Sequence, residues 1–178
     1  MLRPRQEVLI MMILAAALTR LIPHPPNFAP IGALALFGGA YLSDKRFAFL
    51  VPFAAMLLSD LILGFYAHME WVYGSFGLIV CVGLGLQSRR RAGWIAGASL
   101  SSSVLFFAIT NFGVWAGGSL YAKGFAGLMA CYVAAIPFFG NTVRGDGFYS
   151  LILFGGFALL ERRFVILREP ALPSAAMH

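Results

Sequence analysis

Long apolar runs separated by short polar breaks make up most of this chain. The runs cover residues 8–22, 28–42, 47–65, 71–86, 92–112 and 125–160. Such runs are typical of helices that cross a bilayer, because about 20 consecutive apolar residues span its hydrocarbon core. Several runs are shorter than this, so loop residues or local thinning of the bilayer must make up the difference. The pattern predicts an all-α, polytopic integral membrane helical bundle.

The last run is too long for a single crossing. One straight helix over residues 125–160 would reach roughly 54 Å at 1.5 Å per residue, well beyond the thickness of the hydrocarbon core. Pro137 and the polar segment 141–146 interrupt the run. It therefore holds either two spans, which would give seven in total, or one span preceded by a helix that does not cross.

The positions of the basic residues favour six spans over seven. Positively charged residues accumulate in cytoplasmic loops, and six spans with a cytoplasmic N-terminus put ten of the thirteen basic residues inside. These ten are Arg3, Arg5, Lys45, Arg46, Arg89, Arg90, Arg91, Arg162, Arg163 and Arg168. Seven spans would leave the last three outside. We therefore expect about six transmembrane helices in the cell membrane, with both termini cytoplasmic and the last span at about 137–160.

This choice fixes the expected domain organisation. Residues 1–168 form a single transmembrane domain, and residues 169–178 form a flexible cytoplasmic tail. A short non-spanning helix near residues 125–136 either re-enters the membrane or lies on its surface. The first run follows two arginines and resembles a secretion signal, but with so many later spans a retained first helix is the favoured interpretation.

Composition excludes several classes of function. The chain is 60% hydrophobic and only 11% charged, which is too little charge for the surface of a soluble domain. Its net charge of +6 sits in small clusters between apolar runs, which suits contact with anionic membrane lipid, so no nucleic-acid partner is expected. The chain holds no HExxH, GxSxG or P-loop motif. Cys81 and Cys131 lie inside apolar runs without metal-type neighbours. We therefore expect neither an enzyme nor a cofactor or metal site.

Small residues at helical spacing mark faces where helices can approach closely. Gly93, Gly97 and Ser101 follow one another at intervals of four, and Ala35 and Gly39 do so in the second run. In lipid, such faces allow tight packing. The faces serve either packing within this chain or docking onto a partner membrane protein.

Polar and aromatic residues gather at the predicted outer ends of the helices. Charged and amide side chains are costly at membrane depth, so each suggests a function. Three outer loops and two helix ends supply them on the same face, which is what a pocket for a small polar-aromatic ligand needs. We expect the substrate contacts to come from Asn27, Asp60, Asn111, Trp115, Asn141 and Arg144.

Each of these residues also has a structural interpretation. The turn from His24 to Asn27 could simply fix the shape of its loop, because adjacent prolines restrict the backbone. Trp115 fits the belt of aromatic residues at a membrane interface. Asn111 and Asn141 could hold helices together through hydrogen bonds. Asp60 could form an ion pair with Arg20 or with Arg144.

Four segments resemble the substrate-binding S subunits of energy-coupling-factor (ECF) vitamin transporters. NFAPIGALALFGGA at 27–40 is similar to their first outer loop and glycine-rich second helix, and LSDLILG at 58–64 to the end of their third helix. FAITNF at 107–112 and IPFFGNTV at 136–143 resemble the end of their fifth helix and the start of their sixth. The strings HPPNF and TNFGVW are also similar to a group of bacterial multi-pass membrane proteins with no assigned substrate.

The resemblance implies a six-helix subunit that captures a vitamin-like metabolite from the outer side for uptake. It also implies docking, through small residues of the first helix, onto a transmembrane coupling protein driven by ATPase subunits. Ala15 and Thr19 match the spacing of that docking motif only partly, and Gly93 and Gly97 are further docking candidates. Two rivals remain: a ligand-free structural or assembly subunit, and a lipid-modifying membrane enzyme that uses Asp60 and Arg144 as its acid–base and phosphate-binding groups.

Overall fold

The computed structural model describes residues 3–169, and every regular element in that range is helical. The elements are α1 (Pro4–Leu18), α2 (Ile31–Tyr41), α3 (Lys45–Leu63), α4 (Met69–Gly85), α5 (Ala92–Gly117), α6 (Phe125–Ser150) and α7 (Gly156–Arg163). A π-helical turn, Leu151–Gly155, joins α6 to α7 without a break, and 3-10 turns follow α1 and α7. Counting Phe125–Arg163 as one continuous helix, this part of the chain forms a bundle of six helices. The predicted all-α helical bundle is confirmed.

Local sequence signals explain where several helices begin and end. Pro4 opens α1, a position at which the missing proline N–H costs nothing. Asp44 caps α3, because its side chain accepts a hydrogen bond of 2.7 Å from the backbone N–H of Arg46. Gly64 ends α3 at φ 92°, a conformation that favours glycine.

Three helices are long and apolar enough to cross a membrane. They are Lys45–Leu63, Ala92–Gly117 and the continuous Phe125–Arg163. The last two are less enclosed by the rest of the chain than the first. In each of them only 17% of the most apolar 18-residue stretch is buried, compared with 39% in Lys45–Leu63. Ile31–Tyr41 and Met69–Gly85 are shorter apolar helices. The outward surface of the long helices is therefore apolar, as association with a membrane requires.

The short helix α2 runs through the middle of the bundle. Ten of its eleven residues, Gly32 to Tyr41, are buried. It packs most closely on α4, where an added Cβ at Gly39 would lie 2.9 Å from the Cα of Gly83. On another side, Gly38 makes room for the ring of Pro52 in α3. The prediction that small residues at Gly39 permit close packing is confirmed, and the packing is within the chain.

The expected separate helix near residues 125–136 is not present. These residues form the first part of α6, and Pro137 lies inside that helix without ending it. One proline removes only one intrahelical hydrogen bond, and α5 packs alongside to support the segment. The hydroxyl of Tyr132 donates to the carbonyl of Ala108 across 2.6 Å, and the Phe107 ring contacts the Tyr132 ring. The helix therefore starts at residue 125, not at 137.

One end of the bundle collects the basic residues, and we call it the basic end. Arg5 forms an ion pair with Glu161, so the start of α1 lies beside the end of α7. Arg90, just before α5, pairs with Glu169 across 2.6 Å. The amide of Gln87, after α4, donates to the carbonyl of Leu42 at the end of α2 across 3.1 Å. Both ends of the described chain therefore meet here.

The predicted tail, residues 169–178, falls almost entirely outside the described residues. Only Glu169 is described, and its carboxylate bridges Arg90 and Arg5.

Candidate functional site

A cavity of about 360 Å³ lies at the opposite end of the bundle from the basic end. Six helices or the loops beside them contribute to it, and its position is set by the N-terminal end of the central helix α2. The volume falls within the range of small-molecule pockets, about 300–1,000 Å³. The lining residues are Arg20, His24, Asn27, Ala29, Ile31, Gly32, Leu63, Tyr66, Val72, Phe106, Thr142 and Asp146.

A buried ion pair forms one wall. Nη2 of Arg20 donates to Oδ1 of Asp60 across 2.7 Å, and Nη1 donates to the hydroxyl of Ser59. The hydroxyl of Tyr73 donates to the other carboxylate oxygen of Asp60 across 2.8 Å. Asp60 has no exposed surface, whereas Arg20 lines the cavity. Of the two predicted partners, the structure pairs Asp60 with Arg20, and Asp60 reaches the cavity only through that arginine.

The carboxyl group of Asp146 lies against the first turn of α2. An added Cβ at Gly32 would lie 2.5 Å from its Oδ1, so only glycine leaves room for this contact. The hydroxyl of Ser103 in α5 donates to Oδ2 across 2.7 Å. A helix N-terminus carries partial positive charge and favours an acidic group there. Asp146 thus joins three helices at the floor of the cavity while being only 2% exposed.

The loop between α1 and α2 covers the side of the cavity. Asn27 adopts a left-handed backbone conformation, φ 62°, which asparagine tolerates better than most residues. The amide of Asn141 in α6 donates to the carbonyl of Pro26 across 3.0 Å, and the Arg144 guanidinium donates to the Asn141 side chain across 3.2 Å. Phe28 packs its ring on Phe148 and Tyr149. Asn141 and Arg144 therefore hold the loop that carries Asn27.

Tyr66 enters from the loop between α3 and α4. Burial raises the pKa of its phenol to about 12, and the negative charge of Asp60 adds to the rise. The Tyr66 hydroxyl therefore stays protonated, and able to donate a hydrogen bond, at neutral pH.

Two of the predicted contact residues lie elsewhere. Asn111 donates to the carbonyl of Phe107 in its own helix across 2.8 Å. The indole N–H of Trp115 donates to the carbonyl of Ala122 across 3.1 Å, and the Lys123 ammonium lies over the Trp115 ring. Trp115 and Lys123 thus fasten the loop between α5 and α6, whereas Asn111 bonds only within α5. Of the six predicted contacts, only Asn27 lines the cavity. Asp60, Asn141 and Arg144 lie behind its walls and hold lining residues in place. Asn111 and Trp115 lie apart from it.

The prediction left out cavity residues that a sequence signal could have found. Thr142 and Asp146 are four residues apart in α6 and so share a helical face. That spacing, in a helix otherwise rich in apolar residues, marks an inward polar stripe. Arg20 was considered only as a partner for Asp60. Tyr66 was not among the predicted contacts.

The predicted docking residues differ in their surroundings. Ala15 is exposed on α1, whereas the hydroxyl of Thr19 is bonded to the carbonyl of Ala16 and to the Tyr149 hydroxyl. Added Cβ atoms at Gly93 and Gly97 would meet nothing within 4 Å, so this face of α5 points away from the bundle.

No group of three or more His, Cys, Asp or Glu side chains able to hold a metal ion occurs within residues 3–169. Likewise, in this range no hydrogen bond or ion pair joins Asp60 to Arg144, the two groups that the lipid-enzyme hypothesis would need together.

Comparison with curated proteins and with solved structures gives no match. The model of a family of unknown function, DUF6580, matches residues 1–172. That match covers nearly the whole length of the sequence, and this chain belongs to the DUF6580 family.

Proposed function

We propose that this protein is a multi-pass membrane protein that captures a small metabolite from the outer side of the cell membrane for uptake. The observation that carries the proposal is the cavity at the N-terminal end of α2. There a buried acidic side chain, Asp146, and a buried guanidinium, Arg20, meet apolar walls in a space of about 360 Å³. A few placed polar groups in an apolar cavity are what small-molecule recognition requires.

The distribution of basic residues supports the proposed orientation. Ten of the thirteen lie in segments that meet at the basic end or just beyond it, as the contact between Arg5 and Glu161 illustrates. The positive-inside rule assigns that end to the cytoplasm. Both termini are then cytoplasmic, and the cavity opens toward the outer side.

The lining groups favour a particular ligand chemistry. The carboxyl group of Asp146 accepts hydrogen bonds, while the Tyr66 hydroxyl and the Asn27 amide stand at the mouth. Leu63, Val72 and Phe106 supply apolar wall. This combination suits a compact ring-containing molecule that carries hydrogen-bond donors. The resemblance to ECF S subunits, which bind vitamins, points to the same class.

Uptake needs a source of energy, and the chain has no nucleotide-binding loop. We therefore propose docking onto a transmembrane coupling protein with ATPase subunits. The exposed Ala15 on α1 and the open face at Gly93 and Gly97 on α5 are the candidate contacts. Thr19 would contribute mainly by fixing the end of α1 to Tyr149.

The test is mass spectrometry of small molecules released from the protein after purification in mild detergent. Wild-type protein should release one metabolite in stoichiometric amount. Asp146→Asn should abolish retention. Asn27→Ala and Tyr66→Phe should reduce affinity about three- to tenfold, the usual effect of losing one hydrogen bond. Asn111→Ala is the matched control, because it removes an amide outside the cavity.

Retention by wild type and Asn111→Ala, with loss in Asp146→Asn, would establish a capture subunit and identify its ligand. Asn27→Ala and Tyr66→Phe keep the test decisive if Asp146→Asn does not fold, since both lie at the mouth. A wild-type protein that releases nothing, even after incubation with a vitamin mixture, would contradict the proposal.

The structural-subunit alternative is favoured by one observation, the open face of α5. Gly93 and Gly97 leave room there for another helix. If assembly is the function, Gly97→Leu should abolish the function of the protein in cells, because it blocks the face that another helix would contact. Asn27→Ala, which changes only the cavity, should leave that function intact.

A further inference from the structure

A second cavity lies on the side of the bundle, between α5 and the continuous last helix. It has a volume of about 540 Å³ and runs along Ala92–Ser103 on one wall and Val143–Arg162 on the other. We call it the lateral groove. Its inner wall is closed by a contact of 3.3 Å between the hydroxyls of Ser99 and Ser150.

The lateral groove is accessible to membrane hydrocarbon. Both helices that form it are less enclosed than Lys45–Leu63, the other long apolar helix. Its walls are mostly small or aliphatic, as at Ile95, Ala96 and Ala158, with the rings of Tyr41 and Phe154 as the aromatic exceptions. Two glycines, Gly147 and Gly155, leave it without side chains at those positions. The π-helical turn Leu151–Gly155 belongs to its wall, and such turns often accompany functional sites.

Two arginines stand at the basic end of the groove. The Arg90 guanidinium is held in place, with Nε donating to the carbonyl of Gln87 across 3.0 Å and Nη2 to Glu169 across 2.6 Å. Its guanidinium carbon also lies 4.8 Å from the centre of the Tyr41 ring. The Arg162 side chain has no hydrogen-bond or ion-pair partner within residues 3–169. Nη1 of Arg90 has no partner within residues 3–169, so this group and the uncommitted Arg162 guanidinium are the donors that suit a phosphate group.

We propose that the lateral groove binds one anionic phospholipid, with its acyl chain along the apolar walls and its phosphate between Arg90 and Arg162. This site is separate from the metabolite cavity and does not depend on the proposed capture function. The basic end, where the arginines lie, would face the leaflet in which anionic lipids concentrate. The apolar length of the groove and the positive charge at one end match the two parts of such a lipid.

The charge at one end of the groove favours a lipid over a protein helix as its occupant. An apolar helix would bring no anionic group to Arg90 and Arg162, whereas an anionic phospholipid brings a phosphate together with apolar chains. A free phosphate ion would leave the apolar walls uncovered.

Native mass spectrometry of the purified full-length protein tests this proposal, with phosphatidylglycerol and phosphatidylcholine as probes. Wild type should retain one phosphatidylglycerol and exchange phosphatidylcholine freely. Arg162→Gln should weaken phosphatidylglycerol retention about tenfold, since a hydrogen bond to a charged group is lost. Arg163→Gln, which removes a neighbouring charge outside the groove, should not.

A second pair of variants tests the apolar part. Ala96→Trp should fill the groove and displace the lipid, whereas Gly97→Trp, on the adjacent open face, should leave retention unchanged. Equal retention of the two lipids, or equal effects of Arg162→Gln and Arg163→Gln, would overturn the proposal. So would displacement of the lipid by inorganic phosphate alone, or a co-purifying protein that Ala96→Trp removes.

Discussion

Arg20 and Asp60 form an ion pair of 2.7 Å that joins the turn after α1 to the third helix. Neither charge has appreciable contact with solvent. Each is stabilised by the other and by the hydroxyls of Ser59 and Tyr73. Removing one member of such a pair leaves an isolated buried charge, whereas removing both eliminates both desolvation costs.

Asp60→Asn should therefore lower the free energy of unfolding by about 3–5 kcal/mol. The double variant Arg20→Met/Asp60→Leu should recover most of that loss. Thermal and denaturant unfolding in mild detergent measures both changes. An Asp60→Asn protein as stable as wild type would show that the pair is not structural.

Gly39 and Gly74 offer a matched pair of substitutions by alanine. At Gly39 an added Cβ collides with the backbone of α4, so Gly39→Ala should destabilise the protein by about 1–3 kcal/mol. At Gly74 nothing lies within 4 Å, so Gly74→Ala should be neutral or stabilising by up to about 1 kcal/mol. Unfolding of the two variants under the same conditions measures the difference. Equal effects would contradict the close contact between α2 and α4.

Cysteine labelling checks the proposed orientation. In a background carrying Cys81→Ser and Cys131→Ala, Leu120→Cys lies in the exposed loop between α5 and α6, and Ser88→Cys lies at the basic end. A membrane-impermeant maleimide added to intact cells should label the first variant and not the second. The reverse result would invert the orientation and place the cavity on the cytoplasmic side.

Tyr66 should make stability depend on alkaline pH. Its pKa in the folded protein is about 12, above the ordinary value near 10, so the unfolded chain loses the phenolic proton first. The free energy of unfolding should be unaffected by Tyr66 below about pH 10 and should fall as the pH rises from 10 to 12. The decline should be shallower in Tyr66→Phe. Identical profiles of melting temperature against pH would show that the Tyr66 phenol has an ordinary pKa in the folded protein.

The ends of several helices could be predicted because local residues determine them. Asp44 caps α3 and Gly64 ends it, so the predicted run 47–65 differs little from Lys45–Leu63. The last helix could not be predicted this way. Pro137 was interpreted as a boundary, but packing of α5 against residues near Tyr132 outweighs the single hydrogen bond that proline removes.

The site was less predictable because its contacts join distant parts of the sequence. Asn27 could be proposed from its own loop. The spacing of Thr142 and Asp146 indicates that Asp146 faces inward, but not that it lies against Gly32 in another helix, where the absence of a side chain makes room for it. The partner of Asp60 was also ambiguous, because charge alone does not distinguish Arg20 from Arg144.

The shortness of α2 has a consequence for the proposed uptake. With 11 residues at 1.5 Å each, it is about 16 Å long, near half the thickness of a hydrocarbon core of about 30 Å. Its C-terminal end lies at the basic end, beside Arg90. In a bundle that spans the bilayer, the proposed ligand seated on its N-terminal end would therefore already have travelled about half the distance across. It would have exchanged its water shell for the fixed groups of the cavity, and a distance equal to the length of α2 would remain between it and the basic end.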